Sequence, residues 1–202
     1  MALTIQHKKD NNLIKTKKRV SDHGEVFTAE REVNAMLNMV KQETERIDSR
    51  FLEPACGTGN FLAEILRRKL EIVSKRYSKN QSEYERNAVI AVGSIYGIDL
   101  LPDNIEECII RLFNIFDNQY SKLYRTKCTD ECRQSIRYIL GKNIILGDAL
   151  TLKTVDGGDK AITFSEWSPV NGTMIKRRDY MMQFLVDLHS TDDSQTNLFS
   201  DL

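Results

Sequence analysis

No stretch of about 20 consecutive apolar residues occurs in this chain of 202 residues, which excludes a membrane-spanning helix. Net charge is missing too: 29 lysines and arginines balance 29 acids, so no global basic excess announces a polyanionic partner. Cysteine is sparse, and Cys56, Cys108, Cys128 and Cys132 lack the spacing of a disulfide framework. Cys128 and Cys132 stand one helical turn apart, yet no histidine or further cysteine lies near them in sequence, so they read as packing thiols rather than half a metal site. The opening MALTIQHKKDNN has no apolar segment of the kind a secretory signal carries, and the expectation is a reduced, cytoplasmic chain. Internal repeats and low-complexity tracts are absent.

What remains is an ordinary globular composition, 41% hydrophobic and 29% charged, enough for one domain with a substantial core. The organisation expected is a basic arm over residues 1–20, a domain over 21–188 and a polar tail over 189–202. Lys8, Lys9, Lys15, Lys17, Lys18 and Arg19 face only Asp10 in the arm, which reads as a solvated terminus or a phosphate contact. From Thr28 onward Val33, Met36, Leu37 and Val40 share a helix face. Phe51 and Leu52 read as a short buried strand. Leu62, Ile65, Leu66, Leu70 and Val73 stripe a second helix, and a third covers about residues 82–92. The strand SIYGIDL follows, then a helix begun at Pro102 with Ile105, Ile109, Leu112 and Phe113 inward, a helix over about 129–140, and the strand NIILGDAL. Strand, helices, strand, helices, strand argues for an α/β fold with a parallel sheet flanked by helices. Beyond Leu152 the expectation is a turn at TVDGGDK, a strand at KAITF, a loop at SEWSPVNG and a last amphipathic helix at TMIKRRDYMMQFLVDL.

FLEPACGTGNF, residues 51–61, joins the first strand to the second helix through Gly57 and Gly59. A tight glycine turn at a helix N-terminus lets a ligand approach the backbone and offers it N–H groups, which suits a nucleotide-like cofactor. The third glycine of the dinucleotide fingerprint is replaced by Leu62, which counts against NAD. Asp99 closes the second strand, where an acid takes ribose hydroxyls, and Asp148 closes the third, where a carboxylate accepts from an exocyclic amine. Glu53 and Asp99 also read as helix caps, and Asp148 as a turn residue.

Together these stretches resemble the class I S-adenosylmethionine (SAM)-dependent N6-adenine DNA methyltransferases of restriction-modification systems. HGEVFTAEREV is similar to their N-terminal G-x-[FY]-T-P motif, with Ala29 in place of the proline; FLEPACGTGNF to [DE]PxCGxGxF; YGIDLLPDNI and ILGDAL to the next two motifs. The resemblance covers about residues 24–150 and implies a Rossmann-like methyltransferase fold with SAM as cofactor. It assigns Phe27, Thr28, Glu53 and the turn Pro54, Ala55, Cys56, Gly57 and Gly59 to the methionine end, and Asp99 to the ribose. It sets Ile98 and Leu100 beside the adenine and Asp148 on its amine.

The family's catalytic motif, [DNS]PP[YFW], whose polar group takes the target amine and whose aromatic ring stacks on the flipped base, has no counterpart here. Its weak stand-ins are Ser168 and Pro169, with Val170 where the aromatic belongs and Trp167 as a stacking face or a packing residue. The family's central first strand has neighbours on both sides, and only KAITF is left to supply the second one. The sheet is expected to stop after its third or fourth strand, with the open edge covered by a second subunit, by self-association or by the last helix. DNA recognition then falls to a partner chain. Lys176, Arg177 and Arg178 are candidate phosphate contacts, and Gln195, Leu198 and Phe199 match part of the Q-L-[SD]-L-F peptide that docks on bacterial sliding clamps. The function expected is the SAM-binding subunit or a truncated form of an N6-adenine DNA methyltransferase, catalytic with a partner. The alternatives are a non-catalytic SAM-binding, DNA-associated regulatory module and an independent small-molecule methyltransferase.

Overall fold

The helical spacing of apolar residues after Gly59 is realised in a computed structural model of the chain, which describes residues 15–23, 26, 28–155, 157–170 and 174–184. The first helices are α1 (Lys17–His23), α2 (Glu30–Met39) and the single turn α3 (Lys41–Thr44), followed by β1 (Phe51–Glu53) and α4 (Asn60–Tyr77). All five stripe residues of α4 are buried. Next come α5 (Gln81–Gly93), β2 (Ile95–Asp99), α6 (Pro102–Tyr124), α7 (Asp130–Asn143) and β3 (Ile144–Asp148). Asn80 and Thr129 cap α5 and α7 with side-chain acceptors, and Pro102 opens α6. Among the described residues no helix is long and apolar enough to cross a membrane, and no cluster of side chains is suited to hold a metal.

The sheet has the order β1-β2-β3-β4, with β1, β2 and β3 parallel and the two-residue β4 (Lys153–Thr154) antiparallel to β3. Register puts Phe51, Ile95, Gly97 and Ile144 on one face, where α4, α5, α6 and α7 build the main core. Leu52, Tyr96, Ile98 and Ile145 point to the other face. There Tyr96 and Ile98 pack with Ile162, Phe164 and Met182 in a second, smaller core.

That second face is closed by an antiparallel hairpin, β5 (Thr163–Pro169) and β6 (Ile175–Met181), and here the structure departs from the sequence reading. Residues 163 and 164 are strand, as expected for KAITF, but 165–169 continue that strand rather than forming a loop, and 175–181 is a strand, not an amphipathic helix. Among the described residues KAITF does not supply a neighbour to β1: Ala161 bridges Lys153 of β4, and Thr163 and Phe164 open β5, which pairs with β6. Cross-strand pairs explain the outcome, since Phe164 stands opposite Tyr180 and Glu166 opposite Arg178. The Asn171-Gly172 dipeptide between the strands is also a hairpin signal that outweighs weak helical spacing. Two smaller corrections concern exposure. Leu52 is 44% exposed rather than buried, and on α2 only Val33 and Leu37 are buried while Met36 and Val40 face outward.

Of the N-terminal basic residues, Lys15 and Arg19 are not simply solvated, while Lys18 is exposed and Lys8 and Lys9 lie outside the described residues. Lys15 pairs with Asp103 and Glu107, and Arg19 with Asp103, so the segment entering α1 is tied to the start of α6.

Lys69 on α4 is fully buried, donating to the carbonyls of Ile47 (3.2 Å) and Ser49 and to Ser94 Oγ (2.5 Å). Burial pulls its ammonium down to about 7 from the usual 10.5, with Asp48 pulling the other way. Between those two values the unfolded chain holds a proton that the folded chain lacks, so stability rises with pH across that window, by up to about 1.4 kcal/mol per pH unit. Raising the pH from 7 to 9 should therefore stabilise the wild type by roughly 2 kcal/mol relative to Lys69→Met, measured by denaturant titration. Parallel pH profiles in the two proteins would show that Lys69 stays charged.

Candidate functional site

Backbone geometry builds the site first. Gly57 and Gly59 have φ of 52° and 82°, in the left-handed region, so the chain turns sharply from β1 into α4. Three hydrogen bonds fix the turn: Cys56 N donates to Ile98 O (2.8 Å), Gly59 N to Cys56 O (2.8 Å), and Gly57 N to Asp99 Oδ2 (2.9 Å). Gly59 is the N-cap of α4 and contributes no side-chain cap, so the helix opens with its N–H end on the turn.

Asp99 is the hub. Its Oδ2 holds the glycine turn, while Oδ1 accepts from Leu101 N (2.9 Å) and Asn104 Nδ2 (3.1 Å) at the start of α6. The bond to Leu101 is an Asx turn that launches α6 through Pro102. Glu53 behaves differently. It is half-buried, no donor among the described residues reaches its carboxylate, and burial raises its pKa. Such a carboxylate favours a cationic guest. Asp148 accepts from Leu150 N (2.8 Å), and that hydrogen bond, with those to Thr151, lowers its pKa.

These three acids, each ending a parallel strand, line one cavity of about 500 Å³ with the glycine turn between them. Thr28, Pro54, Ala55, Cys56, Gly57 and Leu100 also line it, as the sequence reading expected. Gly59 shapes the turn from behind the wall. Ile98 is corrected: its side chain is fully buried in the second core, so only its carbonyl serves the turn. Phe27 lies outside the described residues, as do Gln195, Leu198 and Phe199.

Ser168, Pro169 and Trp167 are not at this cavity. They lie on β5, where the Trp167 ring packs against Gly93, donates from Nε1 to Asn143 Oδ1 (3.1 Å) and meets Tyr138 edge-on at 5.9 Å. Gly93 ends α5 and Asn143 ends α7, so this is the amino end of the sheet, opposite the cavity. Trp167 is a packing residue. Lys176, Arg177 and Arg178 sit on β6 rather than a helix; Arg177 is engaged by Asp179 and by Tyr138 Oη (2.6 Å), while Lys176 and Arg178 are exposed.

The sequence reading missed Asn60, Phe61, Leu101, Asn104, Ala149 and Leu150 in the cavity wall. Asn60 joins three elements, donating to Thr28 O (3.1 Å) and accepting from Arg111 Nη1 (2.5 Å). No local signal marks Asn104, whose partners Asp99, Arg19 and Lys15 lie 5, 85 and 89 positions away.

Fold and site together define an α/β protein whose cavity opens at the carboxyl ends of parallel strands. No protein-family model matches the chain, and neither a curated protein nor a solved structure is detectably similar to it.

Proposed function

We propose that the chain binds SAM and is the cofactor-binding part of an N6-adenine DNA methyltransferase that acts with a partner. One observation carries this reading: Glu53, Asp99 and Asp148 end adjacent parallel strands and converge with the Gly57–Gly59 turn on a single cavity. At about 500 Å³ it falls within the roughly 300–1,000 Å³ of small-molecule sites. Glu53, which no donor among the described residues reaches, receives the ammonium of the methionine moiety. The uncapped start of α4 faces its carboxylate. After its three bonds among the described residues Asp99 keeps one lone-pair position on Oδ2, enough for one ribose hydroxyl rather than two. Leu100 and Leu150 offer apolar walls to the adenine, and Asp148 accepts from its amine.

In the reaction the methyl group passes from the SAM sulfonium to adenine N6, leaving S-adenosylhomocysteine and a proton. The group that presents N6 comes, in this reading, from the partner, together with DNA recognition. The edge position of β1 supports a missing neighbour: its outer side is unpaired among the described residues, and Leu52 faces a groove of about 310 Å³ with Tyr96, Phe164 and Tyr180. A second reading, a SAM-binding regulatory module without turnover, is favoured by the position of Trp167, Ser168 and Pro169 at the opposite end of the sheet.

Calorimetry with SAM tests the shared premise, and methyl transfer to adenine-containing DNA with and without the neighbouring reading frame's product separates the two readings. Binding is expected, weakening as falling pH protonates Glu53. Absence of binding removes both readings. Binding with transfer only in the presence of the partner supports the first; robust transfer by the isolated chain would overturn the need for a partner.

A further inference from the structure

Asn104 is 1% exposed at the start of α6, and its side-chain amide stands between opposite charges. Its Oδ1 accepts from Lys15 Nζ (2.9 Å) and Arg19 Nη2 (3.1 Å); its Nδ2 donates to Asp99 Oδ1 (3.1 Å). The same two cations bind Asp103, the residue before it, at 3.1 and 2.5 Å and hold its carboxyl down to about 2. We propose that Lys15 and Arg19 are positioning residues for the cavity, acting through Asn104 on the Asp99 carboxylate and through it on the glycine turn.

The orientation of the amide is the first step. The reverse flip would set its NH2 against two cations and its oxygen against a carboxylate, so the two cations select the orientation that donates to Asp99. Polarisation is the second. Charge on Oδ1 strengthens the donor at Nδ2, because hydrogen bonds in series reinforce one another in a buried setting. Asp99 then holds both Leu101 and Gly57, and Gly57 is the first left-handed residue of the turn. A contact outside the cavity wall thus reaches the backbone that forms it in three hydrogen-bonded steps: from Arg19 or Lys15 to Asn104, to Asp99, to Gly57.

The consequence for ligand affinity rests on the SAM reading, but the consequence for the turn does not. Two readouts on one pair of variants separate them: amide hydrogen exchange at Gly57 and Leu101 by NMR, and calorimetry with SAM. In Lys15→Gln/Arg19→Gln, exchange at both amides should quicken about tenfold and SAM affinity should drop about five- to tenfold, while the thermal transition stays cooperative. Lys15→Gln/Arg19→Lys returns one cation to Asn104 and should bring both readouts back toward wild type, which a merely packing role would not do. Unchanged exchange at Gly57 and Leu101 in the double variant would overturn the proposal. Quickened exchange in a protein that fails to bind SAM even as wild type would uphold the relay and remove the ligand reading instead.

Discussion

The Asp99→Ala protein is expected to bind SAM at least about a hundredfold more weakly than wild type and to unfold about 3 kcal/mol more easily. Both effects come from one carboxylate. Alanine leaves Gly57 N, Leu101 N and Asn104 Nδ2 without their acceptor, and Asn104 is almost wholly buried. Each donor to a charged acceptor is worth about 1.5–3 kcal/mol in a folded protein, and partial relaxation toward water recovers some of that loss. The glycine turn then loses the bond that holds its first residue against β2, so the loss of affinity exceeds that of a single missing ribose contact. Asp99→Asn gives the sharper comparison. An amide can satisfy the donors at one oxygen position and must turn its NH2 toward the other, so stability should fall less than in the alanine variant while binding stays poor. Calorimetry and denaturant titration on the two variants provide the check. SAM affinity within threefold of wild type in Asp99→Ala would refute the assignment of Asp99 to the site.

Asp99 also shows what could be read from the sequence and what could not. The acids at the strand ends and the two glycines were legible because each sits where a hydrophobic run of strand character stops, and topology alone sends parallel strand ends to a common side. The stripe of α4 was legible because five apolar residues repeat at helical spacing over nearly its whole length. The hairpin was not. IKRRDYM carries one apolar residue packed against the core and a run of charges, so neither period dominates, and its strand state is decided by pairing with residues 163–169. Two of the three bonds filling Asp99, and the role of Asn104, were hidden for the same reason: they depend on contacts to residues 5, 42, 85 and 89 positions away, where local pattern is silent.

The clamp on the glycine turn has a second jaw, and it sets the other large expectation. Gly59 lies at φ 82° and ψ 37°, and a Cβ built on it would stand 2.6 Å from Cys108 Sγ on α6. Gly59→Ala therefore meets two penalties: about 1–2 kcal/mol for an L-residue in the left-handed region, and about 1–3 kcal/mol for forcing a methyl into a packed contact. A loss of roughly 2–5 kcal/mol is expected in denaturant titration, with SAM affinity reduced because the start of α4 must shift away from α6. Cys108→Ala on its own removes a buried sulfur and costs about 1 kcal/mol. Placed together, the two changes should cost less than their sum by about 1–2 kcal/mol, because the small residue at 108 makes room for the methyl at 59 while the backbone penalty remains. An additive cycle would mean that the turn escapes by moving rather than by pressing on Cys108. α6 would then hold the turn without help from Cys108, and in that case the SAM affinity of Gly59→Ala should fall no further when Cys108 is also replaced.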